Sequence, residues 1–287
     1  MRATSTDAFL LVDKPAGRSS HDVVAEVRRA LGTRKVGHGG TLDPFATGLL
    51  VVLAGRGTRL LPYVPSEPKV YEALIRFGAA TDTDDGTGAV TATGELPAPD
   101  AVVAALPGLT GRLLQRPPAY SAKHVDGARA YALARAGRPP ELPPVPVEVG
   151  AWQVLAQEPG SLTARISCGT GTYIRALARD LGSALGTVAH LERLRRVRVG
   201  PFDVADATPL EALRAGEPRV RPLADAIPDL PHVIIDAETQ GRVRQGRAIA
   251  ARAPGARVAL LDAAGDVVAL ARRQGDAWHP DVVLTVA

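Results

Sequence analysis

Residues 37 to 48 read GHGGTLDPFATG, with glycines at 37, 39, 40 and 48 and one carboxylate, Asp43, between Leu42 and Pro44. Glycine gives up more backbone freedom on folding than any other residue, so neither a helix nor a regular strand is expected here. The flanks are regular. HDVVAEVRRALG, before it, puts Val23, Val24, Val27, Ala30 and Leu31 on one helical face, with Ser19 or Ser20 to cap the helix and Gly32 to stop it. LLVVLAG, after it, is an apolar run of strand length. The chain must therefore turn sharply between a helix and an interior strand, and the turn carries an acid. Two readings of Asp43 are open at this point. It could be an N-cap with Pro44 in the first helical position, or a carboxylate presented for chemistry.

The remaining pattern sets the fold class. AFLLVDKPAGRSS reads as a strand and a turn, and KVYEALIRFGA alternates with period two. TDTDDGTGAVTATG, at 81–94, reads as a polar loop, and PDAVVAALPGLTGRLLQ as a helix and a turn. Prolines bound a helical centre in RPPAYSAKHVDGARAYALARAGRPPELPPVPVEV, so an excursion over about 117–147 is expected. WQVLAQEPGSLTARISCGTGTYIRALARDLGSALG gives two strands, a glycine turn and an amphipathic helix. ATPLEALRAGEP supplies a further helix, and VALLDAAGDVVALARR a hairpin turning at AAGD. This irregular order of strands and helices predicts an α+β fold with a mixed or antiparallel sheet. At 287 residues two domains are expected: a main one over 1–228, and a small β-rich one over 231–287.

Composition narrows the chemistry. Thirty arginines against four lysines, a net charge of +4 and a pI near 9.5 suit a polyanionic partner, because the guanidinium fork matches phosphate. Cys168 is the one cysteine, and the histidines at 21, 38, 124, 190, 232 and 279 lack metal-ligand spacing, so no metal is expected. There is no GxxxxGK[ST] loop, no GxSxG elbow, and GTGTY at 169–173 lacks the third glycine of a dinucleotide fingerprint. No apolar run is long enough for a membrane span, and the first residues lack the apolar stretch of a secretory signal. A cytoplasmic protein without a cofactor is expected.

RKVGHGGTLDPFATGLL resembles the signature of the bacterial tRNA pseudouridine synthase B family, usually GHTGTLDPxATG. LLVDKPAGRSSHDVV, KVYEALIRFGAATDTDDGTG, RPPAYSAKHVDGARAYALARAG, CGTGTYIRALARDLG and AHLERLRRVRVGPF resemble further segments of that family, in the same order. Gly39 stands where the family usually has Thr, and Lys123 and His124 are shifted from its YSAxKxxG arrangement.

The resemblance implies isomerisation of the T-loop uridine of tRNA, position 55: the N1–C1′ bond breaks, uracil turns, and C5 bonds to C1′. Asp43 corresponds to the family's essential aspartate, attacking C1′, abstracting a proton, or adding at C6. Arg175 corresponds to its carboxylate-pairing arginine, which would keep a desolvated acid ionised. Tyr71 and Tyr173 would line the uracil site, His38 would help displace the nucleotide, and Leu194 would close the apolar wall. Lys14 and Asp85 would support the site. The arginines of RLRRVRV would hold phosphates, Arg196 and Arg198 on one strand face and Arg193 and Arg195 on the other. The segment 117–147 would be a flexible insertion closing on the RNA. The implied partner is the T-arm of tRNA, bound by a monomer that needs no protein partner.

Overall fold

The structure, a computed structural model, describes residues 6–121 and 142–284 and, between them, residues 124, 125, 128, 129, 133 and 140. Of the 31 residues of the expected insertion at 117–147, 14 therefore lie outside the described residues.

In chain order the first elements are β1 (Ala8–Lys14), α1 (Ser20–Leu31), β2 (Val36–His38) and β3 (Thr47–Ala54). Next come β4 (Lys69–Phe77), β5 (Ala79–Thr81), β6 (Val90–Thr93), α2 (Pro99–Ala105) and β7 (Gly111–Gln115). The short pair β8 (His124–Val125) and β9 (Ala128–Arg129) precedes β10 (Val145–Glu158), β11 (Ser161–Cys168), α3 (Ile174–Ala184), β12 (Ala189–Val199) and β13 (Phe202–Asp203). β14 (Thr208–Pro209) and α4 (Leu210–Arg214) follow. The chain ends with β15 (His232–Ile234), α5 (Ala237–Arg244), β16 (Ile249–Ala250), β17 (Arg257–Leu261), β18 (Val267–Gln274) and β19 (Ala277–Val283).

These elements form two compact units. The first comprises residues 1–44, 49–65 and 204–287. Its helix α1 starts where the sequence predicts, because Ser19 and Asp22 make a reciprocal capping box, and it stops at left-handed Gly32. The apolar face of α1 packs Val23, Val24 and Val27 onto Leu10, Val12, Leu50 and Val52, each side chain contributing about 1.5–3 kcal/mol. β14 runs parallel to β1, and Arg214 of α4 binds Glu26 of α1, which returns residues 204–214 to the beginning of the chain.

The same unit holds a five-stranded sheet in the order β15-β17-β18-β19-β16, with its own core around Val243, Val258, Leu260, Val268 and Trp278. The hairpin read from VALLDAAGDVVALARR is β17–β18. Arg59 donates to the Val283 carbonyl and Arg257 stacks over Tyr63, so these strands cluster with residues 49–65. The division into compact units thus does not follow the sequence boundary near residue 230.

The second unit comprises residues 45–48 and 66–203. Its sheet is mixed: the first residues of β3 run parallel to β12, and the antiparallel neighbours β12-β4-β11-β10-β7 follow. β4 alternates buried and less buried positions along its length, matching the period-two reading. Residues 81–94 are less of a loop than expected, because β5 and β6 pair as a hairpin; β6 is exposed at all four positions, so it carries no apolar alternation to read.

Candidate active site

In the first unit, no helix follows Asp43. Residues 43–46 are irregular and β3 begins at Thr47, which removes the N-cap reading. The backbone on both sides of Asp43 is held instead. Buried Ser20 Oγ accepts the Leu42 N–H at 2.9 Å and donates to the Leu42 carbonyl at 3.2 Å. Beyond Asp43, the Pro44 carbonyl accepts from the Gly17 N–H at 2.8 Å and from Lys14 Nζ at 3.3 Å. Lys14 is fully buried, and its ammonium also donates to the carbonyls of Pro15 and Arg18 at 3.0 and 2.6 Å. A buried ammonium is tolerated when backbone oxygens satisfy its protons, so this lysine braces the turn. His38 ends β2 opposite Val52, with its ring edge-on to His21 at 5.9 Å.

Two of the loop glycines are required by geometry: Gly40 and Gly48 have φ of 112° and 104°. Gly48, in the second unit, also lies against the backbone of Arg196, where any Cβ would overlap the Arg196 carbonyl. Gly39 is different. A Cβ there would meet Val51 at an ordinary 3.7 Å, so the position that departs from the family signature has room for a side chain.

The second unit gathers the other candidates. Tyr71 of β4 pairs with Arg196 of β12 and Ile166 of β11, and Ala73 pairs with Leu194. Paired residues share a sheet face, so Tyr71 and Leu194 lie on one side, both buried. Lys69 and Cys168 lie on that face too. Burial, and then the neighbouring Arg196 charge, lowers the Lys69 pKa, while burial pushes the Cys168 thiol up to about 11, which leaves it un-ionised at neutral pH.

Tyr173 precedes α3, and buried Gln115 of β7 grips its backbone: the Tyr173 N–H donates to Gln115 Oε1 at 2.8 Å and its carbonyl accepts from Nε2 at 3.2 Å. Arg175, only 4% exposed, is not the surface arginine that a helix start would suggest. Its guanidinium donates to the carbonyls of Thr83 and Tyr120, both at 2.8 Å, and lies 3.6 Å from Asp85 Oδ2. The other Asp85 oxygen accepts from Thr83 Oγ1 at 2.8 Å, the Thr87 N–H at 3.0 Å and Thr87 Oγ1 at 2.5 Å. The segment TDTDDG is therefore a turn and also an acid built to hold Arg175. Next to it, Asp84 adopts φ 60° and binds Arg179 at 2.9 Å.

The arginine run needs correction. β12 has a bulge between Arg196 and Arg198, so these residues pair with consecutive positions of β4, Tyr71 and Val70, and point to opposite faces. Arg196 is 1% exposed, which removes it as a surface phosphate contact. Arg193 and Arg195 pair with Leu74 and Glu72, sharing with Arg198 the face away from Tyr71. On that face Arg165 binds Glu72 at 2.6 Å.

Sequence reasoning missed Ser20, Gln115, Thr83 and Thr87 as supports. Each acts through long-range hydrogen bonds or turn geometry, and only Ser20 carried a signal, as one of two possible helix caps.

Comparison with known proteins decides the family. The N-terminal domain of TruB family pseudouridylate synthase matches residues 28–174, and the tRNA pseudouridylate synthase B C-terminal domain matches residues 175–230. The chain belongs to the TruB family. The tRNA pseudouridine synthase B of Thermobifida fusca is 46% identical over 96% of this chain and 98% of its own length. That of Dinoroseobacter shibae is 41% identical, over 97% and 95%. Among solved structures, an H/ACA RNP bound to a substrate RNA containing 2′-deoxyuridine matches this TruB family chain with a TM-score of 0.72 and 25% identity, covering 99% of it and 86% of the other. A Cbf5-Nop10-Gar1 complex matches with a TM-score of 0.70 and 26% identity, covering 98% and 86%. Among the described residues, no helix is long and apolar enough to cross a membrane.

Proposed function

We propose that this TruB family chain isomerises uridine 55 in the T-loop of tRNA to pseudouridine, with Asp43 as the reacting carboxylate. The observation that carries the reading is the full-length likeness, above 40% identity, to enzymes named tRNA pseudouridine synthase B. The reaction exchanges one bond for another: N1–C1′ breaks, C5–C1′ forms, the C5 proton leaves, and N1 gains a proton. Atoms balance within the nucleotide, so no second substrate is needed.

In this reading Tyr71 stacks on the extruded uracil, worth about 1–3 kcal/mol per base. Leu194, which shares its face, supplies apolar wall, and Tyr173 lines the base site from the start of α3. Asp85 orients Arg175, the residue that corresponds to the family's carboxylate-pairing arginine. His38 fills the space the nucleotide leaves. Extrusion costs a few kcal/mol, and stacking together with phosphate contacts offsets it. Arg193, Arg195 and Arg198 contact RNA phosphates beyond the reacting nucleotide. The catalytic domain spans 1–228 and the β-rich domain 231–287. The enzyme works as a cytoplasmic monomer.

The experiment is incubation with an unmodified tRNA transcript followed by mapping of pseudouridine. Conversion at uridine 55 alone is expected, with binding that weakens as salt rises because phosphate contacts release counterions. No product on bare transcript would contradict the reading. The likeness to H/ACA assemblies favours one competitor, action only within an RNA–protein complex; that competitor predicts a silent transcript too, and product only when further components are added.

A further inference from the structure

We infer that Ser20 is a positioning residue for Asp43. This rests on Asp43 being the reacting carboxylate. Ser20 opens α1, yet the cap of that helix is Ser19, whose side chain accepts the Asp22 N–H while Asp22 reaches back to the Ser19 N–H. Ser20 is thus relieved of capping. Its hydroxyl, 1% exposed, crosses to residue 42 and uses its one proton and a lone pair on the carbonyl and N–H of the same residue.

The consequence for Asp43 follows from peptide geometry. The Leu42 carbonyl and the Asp43 nitrogen share one rigid plane, so Ser20 fixes the orientation from which the Asp43 backbone departs. On the other side the proline ring confines Asp43 to extended ψ and fixes its own φ near −65°. The Pro44 carbonyl is then tied to Gly17 and Lys14. Held at both ends, Asp43 keeps only side-chain rotation to settle where its oxygens lie. Among the described residues, Ser20 is the one side chain bonded to both polar groups of Leu42. Without it, two backbone groups of a residue that is 3% exposed must find other partners, and the plane turns to reach them.

The test separates placement from folding by using the two adjacent serines. Ser20→Ala should lower the single-turnover rate of pseudouridine formation at saturating tRNA by about ten- to a hundredfold, with the Kd for tRNA changed by less than about twofold. Ser19→Ala, which removes the α1 cap and leaves Leu42 held, should lose thermal stability and keep the wild-type rate. If Ser20→Ala does not fold, Ser20→Cys fills the same space with a weaker donor and should show a partial rate loss. A Ser20 variant with the wild-type rate would overturn the inference, as would a Ser19→Ala rate loss equal to that of Ser20→Ala. Asp43→Asn in parallel tells the two claims apart. Its continued turnover would remove the role of Asp43, whereas an inactive Asp43→Asn beside a fully active Ser20→Ala would remove only the positioning.

Discussion

The loops that carry Asp43 and Asp85 both hold an acid among small and turn-forming residues, but they hold it by different parts. At Asp85 the carboxylate itself is engaged, one oxygen by Thr83 and Thr87 and the other facing Arg175. At Asp43 the flanking backbone is engaged, Leu42 by Ser20 and Pro44 by Lys14 and Gly17. An acid whose oxygens are committed to its own loop orients its neighbours. An acid whose backbone is fixed from both sides has its direction set by the main chain around it. Preorganisation of this kind lowers the cost of reaching a reactive geometry.

Breaking the Asp85 side should have the largest effect on stability. Asp85→Ala removes the carboxylate that faces a buried guanidinium, whose hydrogen bonds to Thr83 and Tyr120 go to neutral carbonyls, so unfolding free energy should fall by about 3–5 kcal/mol, measured by denaturant titration. Asp85→Asn, which keeps acceptors for Thr83 and Thr87, should lose clearly less. Equal losses would show that the hydrogen bonds from Thr83 and Thr87 contribute little and weaken the contrast between the loops.

Gly48→Ala comes next. The added Cβ meets the Arg196 backbone and the residue is held at φ 104°, so about 2–4 kcal/mol should be lost. A neutral result would mean that β3 and β12 can separate without penalty.

Smaller still is the anchorage of the helix that carries Ser20. Glu26 accepts from Arg214 at 2.9 and 3.2 Å and pairs with Arg29 at 2.9 Å. Glu26→Gln should cost about 1 kcal/mol, because both arginines are substantially exposed. The hydrogen bond from Arg214 holds the Glu26 pKa below its ordinary 4.5. The sign follows: the stabilisation is complete above pH 4.5 and disappears as pH falls through the lowered folded value. Melting curves of wild type and variant should therefore converge on acidification. The smallest change should be a gain. Gly39→Ala has ordinary van der Waals room, and thermal melts should show about 0.4–1 kcal/mol of added stability from a less flexible unfolded chain.

Much of the fold could be read from the residues. The capped amphipathic pattern of α1, the alternation of β4 and the AAGD hairpin each have a local cause, and each forms as expected. What could not be read depends on distant partners. RLRRVRV looks like an even strand, and only pairing with β4 reveals the bulge that buries Arg196 and turns Arg198 outward. Asp43 before Pro44 has the local form of a helix start, yet residues 43–46 are irregular and lead into β3, with Leu42 held by Ser20, 22 residues before it. Residues 204–214 look like part of a continuing domain, yet their contacts lie with β1 and α1. Of the groups that hold these loops, Lys14 and Asp85 could be read from the sequence, whereas Ser20, Gln115, Thr83 and Thr87 could not.

The most direct measurement compares wild-type chain and Asp43→Asn on the same unmodified tRNA, scoring pseudouridine at uridine 55 and tRNA affinity together. The account predicts that the variant binds as the wild type does and forms product at less than about one thousandth of its rate. Pseudouridine appearing at an undiminished rate in the variant would contradict it.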